Sequence, residues 1–173
     1  TCALPISLLD LIKERRCFMN IMLFLTHKSE VTYLFDDYTI AQGLQILHET
    51  SYTAIPLISR EGKYLGTVTE GDFLWALNDP EVWKDRETLH MDTVKRHICN
   101  KPVRANVQIS DLMHTALHQN FVPVIDDRDC FVGIVTRQRI LDYCITEMER
   151  LQQMEEEQKT WQMPARQMVA LEA

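Results

Sequence analysis

The sequence predicts an α+β protein made of two copies of one α-β-β-α unit, and two observations carry that prediction. Residues 55–58 read Ile-Pro-Leu-Ile and residues 122–125 read Val-Pro-Val-Ile, while Gly66-Thr67-Val68-Thr69 returns as Gly133-Ile134-Val135-Thr136. The offset is 67 in both cases (123 − 56 and 133 − 66), so the register is kept through the β-rich part of each copy. Helical periodicity also brackets each pair of apolar segments. An internal repeat constrains the fold before any single residue is interpreted. Helices on small mixed sheets, twice over, predict a pseudo-twofold pair with its binding sites in the cleft between the halves.

The elements follow in order. Ile40, Leu44 and Leu47 fall on one helical face, and Thr39 with Gln42 has the form of a capping box that starts this helix. In the second copy Ile109, Leu112, Met113, Ala116 and Leu117 repeat the periodicity, with Asn106 or Ser110 as candidate caps. A short strand follows in each copy, Thr53 to Ile58 and Phe121 to Ile125, each with a proline, which belongs at a strand start or edge because it cannot donate to a ladder. Four turn-type residues, Ser59-Arg60-Glu61-Gly62 and Asp126-Asp127-Arg128-Asp129, predict hairpins to Tyr64–Thr69 and Phe131–Thr136. A second helix then carries Phe73, Leu74 and Leu77 in one copy and Ile140, Leu141 and Cys144 in the other. Short extended segments, Val31 to Leu34 and Val103 to Ala105, precede the two units.

The expected organisation is an extension or helix over 1–23, a first repeat over 24–77, a linker with a short helix near Pro80 to Leu89 over 78–101, a second repeat over 102–145, and a helical extension and tail over 146–173. Leu8, Leu11 and Ile12 suit a short amphipathic helix, although Met19 also reads as a natural start. The last helix should run through Ile145, Met148 and Leu151 up to the Gln/Glu-rich stretch Gln152 to Gln158, with Pro164 as an interruption.

Apolar-Pro-apolar-apolar, a four-residue turn and Gly-x-x-Thr-x-x-Asp, all duplicated, resemble the CBS domain, the cystathionine-β-synthase type module that occurs in tandem (Bateman) pairs. The resemblance covers roughly residues 24–145. At a finer grain Ser-Tyr-Thr-Ala-Ile-Pro and Phe-x-Gly-Ile-x-Thr-Arg look like stand-alone CBS-pair proteins of Gram-positive bacteria, some of which bind cyclic di-AMP, although those relatives carry basic residues where Glu30 and Gln138 stand here. The resemblance implies an adenine nucleotide as regulatory ligand in the cleft between repeats. It assigns the base to Tyr52, Thr53, Ala54, Ile55 and Pro56 and to Phe121, Val122 and Pro123, and the ribose to Thr69 with Asp72; Thr32, Val103 and Thr136 complete the expected lining. A carboxylate in the first turn of a helix can accept from two neighbouring hydroxyls at once, which suits Asp72 to a cis-diol. The second copy has Arg139 where the first has Asp72, with Arg137 two residues earlier. A guanidinium cannot accept from a diol, so Arg137 and Arg139, with Arg104, are expected at phosphate or at nothing.

Composition excludes other classes. With 46% hydrophobic and 25% charged residues over 173 positions the chain can bury one ordinary core. No apolar run approaches a membrane span and no signal-peptide pattern is present. A net charge of −7 argues against nucleic acid as a general partner. Cys2, Cys17, Cys99, Cys130 and Cys144 form no disulfide or zinc pattern and fit a reducing cytoplasm, and His114 with His118 lacks a third ligand. No serine elbow, phosphate-binding loop or paired-carboxylate constellation appears. The expected function is a non-catalytic sensor that reports an adenine nucleotide to a regulated protein. A structural dimer with side-chain-filled clefts and a nucleotide-processing enzyme are the alternatives. Helical faces carrying Leu44, Leu74, Trp75, Leu112 and Leu141 predict a homodimer, and Trp83 near Pro80 covers either the core or that face.

Overall fold

The computed structural model describes residues 21–161. The chain divides into two compact units with the boundary between Arg137 and Gln138. In the first unit β1 (Thr26–His27), β2 (Leu34–Phe35), α1 (Ile40–Thr50), β3 (Ala54–Ile58), β4 (Tyr64–Thr69), α2 (Glu70–Leu77), α3 (Pro80–Asp85), β5 (Val103–Arg104), α4 (Ile109–Ala116), β6 (Phe121–Ile125) and β7 (Phe131–Thr136) follow in order. The second is described as α5, which starts at Arg137 and runs to Trp161, through Ile145, Met148 and Leu151 and on through the Gln/Glu-rich stretch that follows them. The expected helix over residues 1–18 and the tail beyond Pro164 lie outside the described residues.

The duplication is kept to the residue. One sheet has the order β2-β3-β4 and the other β1-β7-β6-β5. Antiparallel pairing sets Ala54 opposite Thr69 and Leu57 opposite Gly66, and likewise Phe121 opposite Thr136 and Val124 opposite Gly133. Both hairpins slip at the same place, after Leu57 and after Val124. Each turn closes on a left-handed residue, Gly62 (φ +86°) and Asp129 (φ +63°), which differ by the same 67 positions. The two hairpin tips meet: Phe131 N donates to Gly62 O (2.8 Å), Tyr64 N to Asp129 O (3.3 Å), and the Tyr64 and Phe131 rings stack at 6.1 Å. The pseudo-twofold axis passes between these two equivalent rings.

Upstream of the hairpins the offset becomes 69, because β2 pairs Leu34 with Leu57 and β5 pairs Val103 with Val124, both in parallel. Helix α4, with 8 residues, is three shorter than α1, with 11, and the connection after it is one longer (117–120 against 51–53), which together account for the difference of two. The capping box expected for α1 is present, with Thr39 N donating to Gln42 Oε1 (2.9 Å) and Gln42 N to Thr39 Oγ1 (3.2 Å). Helix α4 starts at Ile109, so its cap position falls on Gln108, which makes no side-chain cap bond, and not on Asn106 or Ser110. Helix α3 stops at Asp85, short of Leu89, and the first extended segment pairs at Leu34–Phe35, a little later than Val31 to Leu34.

The prolines depart from the expected edge or strand start. Pro56 and Pro123 stand in the middle of β3 and β6, which are central strands. They are tolerated because β2 and β5 are only two residues long and begin beyond them. A second departure is Leu112, expected on an uncovered face but fully buried. At its counterpart, Gly43, an added Cβ would lie 2.7 Å from Met91 Sδ, so in the first copy a linker residue fills the space that Leu112 fills in the second. The first copy's core gathers Leu34, Ile40, Leu47, Ile55, Leu57, Val68, Phe73, Met91 and Val94.

The segments leading into the repeats cross over. Strand β1, ahead of the first copy, joins the second copy's sheet, pairing Thr26 with Ile134 and His27 with Gly133. Gly133 is required there, since a Cβ would run into the Thr26 carbonyl oxygen. The linker ahead of the second copy lies along the first: the Arg96 side chain covers Gly66, and His97 reaches Asp72.

Candidate functional site

The crossing segments create two related clefts with different contents. In the open one a cavity of about 270 Å³ is lined by Thr32, Tyr52, Thr53, Ala54 and Pro56 from the first copy and by Phe121 and Thr136 from the second. All seven were expected from the sequence. Strand alternation explains which residues face it: Ala54 and Pro56 point into the cleft, while Ile55 and Leu57 between and beyond them are fully buried in the core. The wall also contains Thr26, Glu30, Val31, Asn120 and Ile134, which the sequence reading missed. Ile134 lies two residues before Thr136 and shares its face, so alternation alone could have found it. Thr26 and Glu30 arrive through the β1 crossing, which no local pattern announces.

Several expected residues lie elsewhere. Ile55 and Val122 are fully buried in the sheet cores. Pro123 is buried within β6, and Val103 is half-buried in the two-residue β5. Arg104 ties down the second hairpin turn, donating to Asp126 O (2.9 Å) and Asp129 Oδ1 (3.0 Å). Arg137 Nε donates to Ala116 O and Gln119 O, each at 3.1 Å, and so holds the last carbonyl of α4 and one in the connection that follows it. Arg139 lies within the α5 unit.

Thr69 and Asp72 differ most from expectation. Asp72 is 1% exposed, with both carboxylate oxygens engaged inside the protein. Its Oδ2 accepts from Thr69 N (2.9 Å) while Asp72 N donates to Thr69 Oγ1 (3.2 Å), a capping box at the start of α2. Oδ2 also accepts from Thr69 Oγ1 (2.8 Å), and Oδ1 accepts from His97 N (2.8 Å) and contacts His97 Nδ1 (3.0 Å). Burial pushes this carboxyl up, but the backbone N–H groups of His97 and Thr69, with their side chains, outweigh it and hold the group below the usual carboxylate range.

The rest of this second cleft is held by the same linker. Tyr64 donates its hydroxyl to Asn100 O (2.9 Å), and burial pushes that phenol well up. Asn100 Nδ2 donates to Phe121 O (3.0 Å). Gln119 faces Lys101 with both ends of its amide: Oε1 accepts from Lys101 N, and Nε2 donates to Lys101 O (3.2 Å).

Among the described residues no cluster of three His, Cys, Asp or Glu could hold a metal ion, and His114 and His118 are exposed. Cys99, Cys130 and Cys144 are free thiols, and among the described residues no helix is long and apolar enough to cross a membrane.

Comparison with known proteins places this geometry. The CBS domain model matches residues 25–79 and 101–146. A CBS domain-containing protein of Dictyostelium discoideum is 28% identical over 122 residues, covering 65% of this chain and 83% of its own length. Among solved structures, CbpB in complex with c-di-AMP superposes with a TM-score of 0.73 at 22% identity, over 84% of this chain and 98% of that one. CBSX2 in complex with AMP gives 0.60 at 19% identity, over 75% and 98%. At those identities the structural likeness shows the fold alone. The duplicated register, the matched segments and the shared fold lead to one conclusion: the chain belongs to the CBS-domain family and carries the domain twice.

Proposed function

We propose that this chain is a non-catalytic regulatory module, one that takes an adenine nucleotide in the open cleft and passes its occupancy to a partner protein. The observation that carries the reading is the open cleft itself, with walls drawn from both repeats. Binding there would bridge the halves, which is how occupancy becomes a change another protein can sense. Its chemistry suits a nucleoside: Ala54, Pro56, Phe121 and Ile134 supply apolar wall, and Thr26, Thr32, Thr53, Asn120 and Thr136 supply hydroxyls and an amide. Glu30 is the carboxylate on this wall, and it takes the diol-accepting role first expected of Asp72. At about 270 Å³ the cavity lies just under the roughly 300 to 1,000 Å³ of small-molecule pockets, a size for one nucleoside and no more. Cyclic di-AMP would have to place its second half outside. The ligands of CbpB and CBSX2, c-di-AMP and AMP, support an adenine nucleotide as the class.

Calorimetry with adenosine, AMP, ATP and cyclic di-AMP tests the reading. Ala54→Trp, which fills the cleft from a half-buried position, should weaken the ligand at least about 100-fold, or ~2.7 kcal/mol. A folded parent that binds none of the four would sink the proposal, and turnover of any of them would favour an enzyme. A homodimer and a cytoplasmic setting belong to the same reading. Leu74 (66% exposed) and Trp75 (63%) on α2, with Trp83 (54%) on α3, offer an isologous face. Trp75→Glu should then lower the mass seen by light scattering to that of one chain.

A further inference from the structure

The second cleft is held shut by groups that the open cleft lacks at every equivalent position. Tyr64 ties Asn100 through its hydroxyl, and the equivalent ring is Phe131, which has none. Asn100 corresponds to Val31 by the β2/β5 register, and Val31 has no amide. Asp72, which holds His97, corresponds to Arg139. Gln119 corresponds to Tyr52 by the hairpin register. Four substitutions therefore separate the clefts: Tyr64 and Asn100 each supply one bond of the closed arrangement, and Asp72 and Gln119 each supply two contacts.

The Gln119 contact has a backbone cause. In the β5/β6 ladder Ala105 N donates to Ile125 O (3.1 Å), and Val103 pairs with Val124. Followed back in steps of two residues, the donor for the Lys101 carbonyl falls on residue 123, and Pro123 has no N–H. Gln119 Nε2 supplies the missing donor while Oε1 takes the Lys101 N–H. The first copy repeats the gap. Asp36 N donates to Ile58 O (3.1 Å), and the same step back sets Pro56 opposite the Thr32 carbonyl. Thr32 lines the open cleft, and a tyrosine at 52 offers no amide to serve it.

We infer that the Gln119 amide, with the linker residues His97 and Asn100, is an internal substitute for a ligand. It presents to Lys101 the adjacent acceptor and donor that an aminopurine edge would present to Thr32. The second cleft is thus occupied by the chain itself, and the protein takes a single ligand, in the open cleft. This rests on the proposed function for the identity of the ligand but not for the plug.

Hydrogen exchange on the full chain separates the two. The Lys101 amide should exchange at least about tenfold faster in Gln119→Ala than in the parent, since its acceptor is gone; an unchanged rate overturns the inference. Titration with AMP should give a single site in the parent and a second in His97→Ala/Gln119→Ala. A second site already in the parent, or none gained in the folded double variant, overturns it as well. The converse graft, Tyr52→Gln, should close the open cleft and weaken AMP about tenfold relative to Tyr52→Phe, the effect of withdrawing one paired contact; equal affinities count against the plug. If the parent binds no nucleotide, the proposed function fails, and the exchange measurement alone still decides whether Gln119 holds Lys101. If the double variant does not fold, the exchange and graft arms decide.

Discussion

The two clefts of this protein share strands, register and proline position, yet one is a lined cavity and the other is filled by the chain. The difference does not come from the sheets, whose pairing repeats to the residue. It comes from what each incoming segment carries and from the repeat residues that meet it, Tyr64, Asp72 and Gln119 in the filled cleft. The segment ahead of the first copy spends itself on a strand, β1, and leaves Thr26, Glu30 and Thr32 along a cavity. The linker ahead of the second copy makes no such strand and instead places His97, Asn100 and Lys101 against Asp72, Phe121 and Gln119. Duplicated scaffolds can therefore keep two sites in geometry while retaining one in chemistry.

The largest expected effect breaks the filled cleft. Asp72→Ala removes a buried carboxylate that accepts from Thr69 and His97 and leaves a void in its place, which should cost about 3 kcal/mol in stability, read from the denaturant midpoint, while sparing AMP binding at the open cleft. A loss of AMP affinity without a loss of stability would restore the ribose role to Asp72. The same carboxylate makes an acid prediction. Its pKa is lowered in the folded state, so its contribution is complete above the unfolded value and is lost as pH falls through the folded one. Stability of the parent should drop below about pH 4 more steeply than that of Asp72→Asn, measured by urea unfolding across that range.

Next comes the open cleft's wall. Gly133→Ala drives a Cβ into the Thr26 backbone and should cost about 2 kcal/mol, with AMP binding lost as β1 detaches. Gly66→Ala meets only the flexible Arg96 side chain but sits at φ +148°, so it should cost about 1 kcal/mol and leave AMP binding intact. Equal effects on binding would mean that β1 does not build the site.

A smaller change probes the hinge between hairpin and helix. Arg137→Ala removes the Nε bonds to Ala116 and Gln119 and should lower stability by about 1.5 kcal/mol, affecting adenosine and AMP alike. Selective loss of AMP would give Arg137 the phosphate role instead. The smallest effect contrasts the helix starts. Thr39→Ala should cost about 1 kcal/mol by removing the α1 box, whereas Gln108→Asp should stabilise α4 by about 0.5 kcal/mol, because that cap is unused. Thermal midpoints of the two variants check both signs.

Much of this was legible beforehand because it is local. Alternation and turn residues announced both hairpins, and Thr39 with Gln42 announced a cap that the structure contains. Tyr52, Thr53, Ala54 and Pro56, four of the twelve residues lining the open cleft, belong to the stretch that the resemblance assigned to the base. Asp72 was expected at a ligand and in the structure meets Thr69 and His97 instead, because Thr-x-x-Asp has the same form whether the carboxylate faces a ligand or a neighbouring N–H. Only the path of residues 95–101 distinguishes the two.

By itself the sequence determined the repeat and the register of its two hairpins, since periods of two and of about 3.6 residues are properties of neighbouring residues. The prolines, expected at an edge or strand start, stand instead in central strands beside two-residue partners that begin beyond them. The sequence also already held the four differences, Tyr64 against Phe131, Asn100 against Val31, Asp72 against Arg139 and Gln119 against Tyr52. What only the tertiary structure decided is their meaning. Hydrogen bonds between residues 18 to 36 positions apart, such as Gln119 with Lys101 and Tyr64 with Asn100, depend on a crossing that no local pattern encodes. A buried donor or acceptor must find a partner wherever the chain brings one, and here the linker arrives first in one cleft and not in the other.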